Sequence, residues 1–297
     1  MTDALRQHLE TSNGIADLEI LTPDHVDDAV RIFYRDGFVM VRDVLTPEQV
    51  AFLRAGCERE TAEILSIGQE QYPGTNRYSY GGASITNSVL HREEWAMLVD
   101  LPALTPIITA IYDSRNYHIR RCAGDFCMPG AGYQPLHADI NDGFAQYRDP
   151  RGLVGLRDLP CPMVVRNFLA QDFTRVNGTT RVIPGTHHSK ATIPSLDDEL
   201  EWMRLSTLCP APAGAVMIRD PRTWHGGTPN LSDEMRAIPN AIFLAPWIYE
   251  PQLPSMPREM FDLLSEHGQR LCEFVVTDEP IETGYRLGMS KKLKKGR

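Results

Sequence analysis

From Tyr117 onward the chain consists of short apolar runs separated by glycine, proline and aspartate residues. Each run has the length of one β-strand, and the residues between the runs favour turns. Several short strands at such spacing are typical of a sandwich or barrel and not of a parallel α/β sheet. The predicted strands are His118–Cys122, Asp125–Met128, Met163–Ala170, Thr180–Ile183, Ala215–Arg219 and Ala241–Ala245.

The part of the chain before this β region carries helical patterns. Thr46 can cap a helix, Pro47 suits the first helical position, and Gln49 can complete a capping box. The resulting prediction is mainly β with flanking helices. The predicted helices run from Val26 to Asp36, from Thr46 to about Gly68 and from Thr105 to Tyr112, and a short strand, Gly37–Val41, follows the first.

The length of 297 residues suits one large β-rich domain or two small ones, and we predict a single domain, 1–297. Residues 1–25 are predicted to form a loosely packed N-terminal arm. Residues 251–297 are predicted to form a C-terminal helical extension with a helix from Arg258 to about Phe274. The segment Phe144–Leu159 is interpreted as a long loop, and such loops are usually lids or binding loops.

The composition is that of a soluble globular protein, with 42% hydrophobic and 23% charged residues. The net charge of −9 argues against general nucleic-acid binding, and the basic run Lys291–Arg297 is interpreted as a solvated tail. No apolar stretch approaches the ~20 residues of a membrane span, and the N-terminus lacks the apolar core of a secretory signal. Six scattered cysteines without a C-x-x-C pair favour reduced thiols. We therefore expect a cytoplasmic protein.

The tripeptide His137-Ala138-Asp139 can present an imidazole and a carboxylate side by side, because residues two apart on a strand point to the same face. Two histidines and one carboxylate form the facial triad that holds Fe(II) and leaves positions open for substrates and oxygen. His225, which lies between an apolar strand and a Gly-Gly pair, is the candidate third ligand. By itself such a tripeptide is a weak signal, since chance supplies many of them.

Arg236 follows His225 by eleven residues and is the candidate partner of an acidic cosubstrate. Its planar guanidinium can bind a carboxylate through two parallel charge-assisted bonds. A surface ion pair is the alternative reading of this arginine. His187 and His188 are predicted to point to opposite faces of a strand and to serve as capping or supporting groups. His118 is predicted to line the core or a pocket.

Several pieces in sequence order resemble the phytanoyl-CoA dioxygenase family of Fe(II)/2-oxoglutarate-dependent oxygenases. The resemblance spans about residues 30 to 247 and is greatest with members that tailor natural products. It implies a double-stranded β-helix (jelly-roll, cupin-like) barrel. The pieces are the opening Phe33–Val41 with Leu45–Val50, His137-Ala138-Asp139, the signature Asn177–His187, His225 and Arg236.

The resemblance also implies roles for individual residues. Metal binding and catalysis would fall to His137, Asp139 and His225, and Arg236 would bind 2-oxoglutarate with Gln134, Thr180 and Arg77 in assisting positions. Halogenating relatives replace the metal carboxylate with alanine or glycine, whereas this chain keeps Asp139. The insertion Phe144–Leu159 departs from the family's spacing, so no substrate residues are carried over there.

The expected activity is oxidation of a small, mostly apolar natural product with Fe(II), 2-oxoglutarate and O2, releasing succinate and CO2. Hydroxylation of an acyl-CoA or an amino acid remains an alternative, as does a cupin-like metalloenzyme that does not use 2-oxoglutarate. A non-catalytic protein on a relic barrel is a third reading. We expect a small-molecule substrate, no nucleic acid or membrane partner, and a homodimer.

Overall fold

A computed structural model describes residues 3–4, 6–7, 14–15, 17–68, 74–141 and 148–286. The strands are β1 (Ile20–Leu21), β2 (Phe38–Val41), β3 (Arg77–Ser79), β4 (His118–Cys127), β5 (Met163–Phe168), β6 (Thr180–Val182), β7 (Val216–Arg219), β8 (His225–Gly227), β9 (Arg236–Leu244), β10 (Met256–Pro257) and β11 (Val276–Thr277). The helices are α1 (Val26–Asp36), α2 (Pro47–Ser66), α3 (Tyr80–Ala83), α4 (Glu93–Ala96), α5 (Thr105–Tyr112), α6 (Glu201–Leu205), α7 (Arg258–Phe261) and α8 (Glu266–Cys272).

Seven strands form one large mixed sheet in the order β1-β2-β7-β5-β9-β4-β3. All of its neighbours are antiparallel except β1 and β2, which run parallel. A second, smaller layer consists of β6 and β8, and isolated bridges such as His137 to His225 and Arg181 to Leu208 extend it. In the described residues the two layers remain separate sheets and do not close into one barrel.

The large sheet has two buried faces because its strands alternate side chains between two layers. Val39, Val164 and Ile218 belong to the outer face and pack against the helices in the largest apolar cluster. Met40 and Met217 point to the inner face, toward the second layer. Burial of each large aliphatic side chain contributes about 1.5–3 kcal/mol. This inner face forms one wall of the space that contains the candidate site.

The two main helices begin and end where the sequence predicts. Thr46 and Gln49 form the capping box of α2, with Pro47 at the first helical position. Helix α1 ends at Gly37, whose φ of 82° lies in the left-handed region that glycine adopts without steric cost. The third predicted helix, Thr105–Tyr112, is confirmed as α5.

Two predictions need correction. His118–Cys122 and Asp125–Met128 are not separate strands, because β4 continues through Gly124 with only a register shift between Ile119 and Arg121. The single helix predicted from Arg258 is two short helices. The Ser265 side chain caps α8 by accepting from the Gly268 amide, so a new helix starts there.

The ends of the predicted domain contain more sheet than expected. Ile15, Leu18 and Ile20 pack against the inner-face cluster, and β1 pairs with β2, so the described end of the N-terminal arm is part of the fold. In the C-terminal extension β10 and β11 form a parallel pair. The basic run Lys291–Arg297 lies outside the described residues.

The predicted loop Phe144–Leu159 is described only from residue 148 onward. There a short 3-10 turn forms at Leu156–Asp158. The Arg157 guanidinium donates to the carbonyls of Thr186, His187 and Arg222. These bonds fix the described end of the loop against the segment that leads to His225.

All six cysteines are buried and free, as predicted for reduced thiols. Within the described residues, every helix is too short or too polar to cross a bilayer.

Gly37 is the position at which a small change should disturb the approach to the site. A Cβ at residue 37 would lie 2.4 Å from Thr223 Oγ1 and 2.6 Å from His187 Nδ1, whereas one at Gly68 meets no described residue within 4 Å. Both glycines have positive φ, so each alanine pays the left-handed penalty of about 1–2 kcal/mol. Gly37→Ala should lower the free energy of unfolding by at least ~1 kcal/mol more than Gly68→Ala.

Urea denaturation of the two variants beside the wild type measures this difference. If Gly37→Ala and Gly68→Ala lowered the free energy of unfolding equally, Gly37 would not be closely packed against Thr223 and His187.

Candidate metal centre

His137 and His225 meet because their backbones form an antiparallel pair. Each residue's amide donates to the other's carbonyl at 3.0 Å. In such a pair the two side chains project to the same side of the sheet. The ring centroids are 4.3 Å apart. Two histidines that are distant in the chain are therefore fixed side by side by main-chain hydrogen bonds.

Asp139 completes a group of three potential ligands. Its Oδ1 lies 3.7 Å from His137 Nε2 and 3.5 Å from His225 Nε2. One ligand atom from each residue lies within 4.8 Å of the other two. The Asp139 amide donates to the Pro221 carbonyl, which fixes the backbone beside the segment leading to β8. The three predicted ligands are thus brought together on one side of a common space.

The environment of both imidazoles favours the protonation state that a metal requires. His137 Nδ1 lies 3.0 Å from the Pro135 carbonyl, and His225 Nδ1 lies 3.0 Å from the Thr223 carbonyl. If each Nδ1–H donates there, each Nε2 keeps its lone pair for a metal. Burial and the charge of Arg219 hold the pKa of His225 well below its usual value, so this ring is neutral.

Arg219 at the end of β7 ties the large sheet to the triad. Its guanidinium donates to Asp139 Oδ2 at 2.8 Å and lies 3.2 Å from His225 Nδ1. Nδ1 of His225 can either donate to the Thr223 carbonyl or accept from Arg219, but not both. When Nε2 is free for a metal, Nδ1 carries the hydrogen and donates to Thr223, and its contact with Arg219 is then electrostatic and not a hydrogen bond. Burial alone would raise the pKa of Asp139. Arg219 and the two imidazoles lower this pKa by more than burial raises it, so the pKa of Asp139 lies well below its usual range. Asp139 is therefore a carboxylate with Oδ1 left for a metal.

Arg236 begins β9 and is only 3% exposed. Its guanidinium carbon lies 5.3 Å from the centre of the Phe173 ring, and its Nε has no hydrogen-bond partner. Across the described ranges no carboxylate forms an ion pair with it. A buried, unpaired guanidinium is costly unless a ligand supplies the negative charge. The surface ion-pair reading of Arg236 is therefore wrong.

Gln134 and Thr180 lie on the same part of the second layer. Gln134 Oε1 accepts from the Gly227 amide at 3.0 Å, and the Gln134 amide donates to the Gly227 carbonyl. Thr180 is paired directly with Gly227 across β6 and β8, in the same register that pairs Val182 with His225. The structure thus places both residues beside the glycine that lies two positions after the third ligand.

Arg77 begins β3, an edge strand of the large sheet, and its side chain reaches the same glycine, Gly227. Its guanidinium donates to the carbonyls of Gly132 and Thr228, and a Cβ at Gly227 would lie 2.3 Å from one of its nitrogens. Burial, with the nearby charge of Arg236, lowers the pKa of Arg77 to about 10. Arg77, Arg236 and Gln134 therefore surround one end of the space that the triad faces.

Other residues that the sequence singled out lie elsewhere. His187 and His188 occupy a 3-10 turn, not a strand, and their tilted rings have centroids 4.0 Å apart. His187 donates from Nε2 to the Tyr34 carbonyl, in line with a supporting role. Trp224 packs with Leu136 and Ile183 in a small apolar cluster, whereas Trp247 is largely exposed.

The sequence reasoning missed Arg219. A local signal existed, because a charged residue closes the otherwise apolar run Ala215–Ile218. Its role depends on β7 lying next to β5 with Arg219 facing inward, and that long-range arrangement is not a property of the local pattern.

Comparison with known proteins places the chain in a family of oxygenases. The family model described as phytanoyl-CoA dioxygenase (PhyH) matches residues 33–238. A dioxygenase named FrzG from Cladobotryum sp. is 23% identical over 88% of this chain and 92% of its own length. An ectoine dioxygenase from Bordetella bronchiseptica is 26% identical over 71% of this chain and 72% of its own length.

Solved structures give the same fold. The epimerase SnoN, solved with Fe3+, α-ketoglutarate and nogalamycin RO, superposes with a TM-score of 0.56 at 15% identity, covering 90% of this chain and 97% of that one. This likeness and the mixed sheet with flanking helices confirm the predicted fold class. The His-Asp-His donor set fits a facial iron site, and the unpaired Arg236 fits a dicarboxylate cosubstrate.

We predict that Arg219→Met weakens metal binding by about 10–100-fold, the usual effect of removing a group that orients a ligand. The expected cause is the loss of the bond that holds Oδ2 of Asp139. Arg42→Met is the matched control, because Arg42 is exposed and pairs only with Asp43 among described residues. Isothermal titration with Co(II) measures the affinities, and an unchanged dissociation constant in Arg219→Met would exclude this orienting role.

Proposed function

The chain belongs to the phytanoyl-CoA dioxygenase family, and we propose that it oxidises a small natural product with Fe(II), 2-oxoglutarate and O2, releasing succinate and CO2. The observation that most supports this proposal is that two features lie beside the inner face of the large sheet. One is the triad of His137, Asp139 and His225, whose ligand atoms lie within 4.8 Å of one another. The other is Arg236, a buried guanidinium without a carboxylate partner in the described chain.

Iron with 2-oxoglutarate supplies the oxidising power for cleaving a C–H bond of the substrate. The protein's contribution is placement. His137 and His225 offer their Nε2 atoms, and Asp139 offers Oδ1 while Arg219 holds its other oxygen. These contacts fix the donor set before the metal arrives, which reduces reorganisation on binding.

The assisting residues form the other end of the proposed cosubstrate site. Arg236 would bind the far carboxylate of 2-oxoglutarate through parallel bonds. Thr180 and Gln134 flank Gly227, where a glycine leaves room beside the Arg77 guanidinium. The two positive charges of Arg77 and Arg236 suit an anion with two carboxylates.

The retained Asp139 favours oxygenation, desaturation or rearrangement over halogenation. By resemblance, halogenating relatives free a metal position by losing this carboxylate. Here Asp139 is present and bonded to Arg219. We therefore expect the substrate to lose hydrogen and to gain oxygen, a double bond or a new ring, and not a halide.

The relatives support a natural product as the substrate class, and its mostly apolar character is proposed from the resemblance to tailoring oxygenases. One curated relative is an ectoine dioxygenase, and structural neighbours include a hygromycin B complex and the nogalamycin epimerase. We propose a small, mostly apolar natural product, a cytoplasmic reaction, and a homodimer to which residues 251–286 contribute. A single domain, 1–297, is the organisation that we propose for the chain.

The test of this function is succinate formation from 2-oxoglutarate. The wild type should form succinate only with Fe(II), and Arg236→Ala should raise the KM for 2-oxoglutarate by on the order of tenfold or more, because a charged hydrogen bond contributes about 1.5–3 kcal/mol. Arg236→Lys should retain part of the affinity, and Arg42→Ala should behave as the wild type.

A cupin-like enzyme that does not use 2-oxoglutarate predicts another outcome. In that case Arg236→Ala leaves turnover unchanged, and 2-oxoglutarate has no effect on the wild type.

A further inference from the structure

The inner face of the large sheet carries its apolar residues in two separate groups. Ile238 and Met217 belong to the cluster near β2, and Val165 and Ile242 belong to a second cluster at the other end of the strands. Polar side chains on the same face lie between these clusters or in the same rows as their residues. We call them the polar belt, which consists of Arg121 and Asp125 on β4, Asn167 on β5 and Asn240 on β9.

The strand register places the polar belt on the face of the large sheet that is turned toward the metal ligands. Asn167 and Asn240 are directly paired, and Arg121 is paired with Ile242. Ile242 in turn pairs with Val165, and Val165 with Arg219, so one row runs across four strands from Arg121 to the arginine that holds Asp139. Paired residues project to the same side of a sheet.

The polar belt is poorly satisfied by the protein itself. Nε of Arg121 and Oδ1 of Asn240 are buried without a hydrogen-bond partner. Within the chain as described, neither Arg121 nor Asp125 forms an ion pair, although Asp125 has a hydrogen bond with the Ser79 side chain. An unsatisfied buried polar group costs about 1–3 kcal/mol, so such groups are retained where a ligand uses them.

The charges of the polar belt also face the metal ligands. The electrostatic surroundings of Arg121 include Asp125 and Asp139, and those of Asp125 include Asp139 and His137. Burial lowers the pKa of Arg121 and raises that of Asp125, since both lie within the fold. Arg236, at the far end of the same face, is already assigned to the cosubstrate. Arg121 lies at the opposite end of this face from Arg236, and it has no ion-pair partner among the described residues.

We propose that the polar belt binds the substrate, and that the substrate carries an anionic group, such as a carboxylate, held by Arg121 together with a hydrogen-bond donor that meets Asp125. Asn167 and Asn240 supply amide contacts between these ends. Val165 and Ile242 border the belt, so an apolar body remains compatible with this polar part. The inference rests on the proposed function, because it places the substrate relative to the iron and 2-oxoglutarate.

The first test measures ligand protection. Protein loaded with Ni(II) and 2-oxoglutarate is heated with a panel of carboxylic and zwitterionic metabolites, each beside its methyl ester. Acids should raise the Tm at concentrations where the esters do not, because a ligand that binds only the folded state stabilises it. Arg121→Met should lose this protection, whereas Arg42→Met, whose arginine is exposed and pairs with Asp43, should keep it.

The second test needs no ligand. Asn240→Leu removes an unsatisfied buried amide oxygen and keeps the branched shape of the side chain, so its Tm without substrate should equal or exceed that of the wild type. A loss of several degrees would instead show that Asn240 holds the fold, and it would remove Asn240 from the binding proposal.

The outcomes separate this inference from the proposed function. Failure of Ni(II) and 2-oxoglutarate to raise the wild-type Tm would overturn both. If they raise it but acids and esters protect equally, or no acid protects, or Arg121→Met keeps the protection, the proposed function stands and the anionic substrate is wrong.

Discussion

The site depends on the backbone pair between His137 and His225. Two hydrogen bonds of 3.0 Å bring together residues that lie on distant segments, and they orient both imidazoles to one side of the smaller layer. Asp139 then follows at the spacing that returns its side chain to the same space. Because the metal ligands come from the second layer and Arg219 from the large sheet, the bond from Arg219 to Asp139 joins the two layers at the site.

The arginines along the inner face of the large sheet form two groups, one proposed to bind the cosubstrate and the other the substrate. Arg236 and Arg77 collect positive charge at one end, where Gln134 and Thr180 lie, and this end suits an anionic cosubstrate. Arg121 lies at the other end. Unpaired cations are expensive inside a protein, which is why we propose an anionic ligand for each of Arg236 and Arg121. By contrast, the buried Arg181 forms an ion pair with Glu199, to which both of its terminal nitrogens donate.

Much of this organisation could be predicted from the sequence. The capping box at Thr46 and the turn at Gly37 are local signals that appear where predicted, whereas two of the predicted short strands are one continuous strand, β4. The ligand set came from spacing and from resemblance. Arg219 and the polar belt were not predicted, because their positions depend on strand register. They come together only when β7, β5, β9 and β4 lie side by side with these residues facing inward. The predicted helix from Arg258 failed because the cap at Ser265 was overlooked.

The most direct measurement is an anaerobic titration with Fe(II) and then 2-oxoglutarate, followed by the weak visible charge-transfer absorption of the complex. The wild type should develop this absorption to saturation at one equivalent of metal. His225→Ala, with an unchanged far-ultraviolet circular dichroism spectrum, should develop none. Absence of the band in the wild type, or its full retention in His225→Ala, would contradict the assignment of His137, Asp139 and His225 as the iron site.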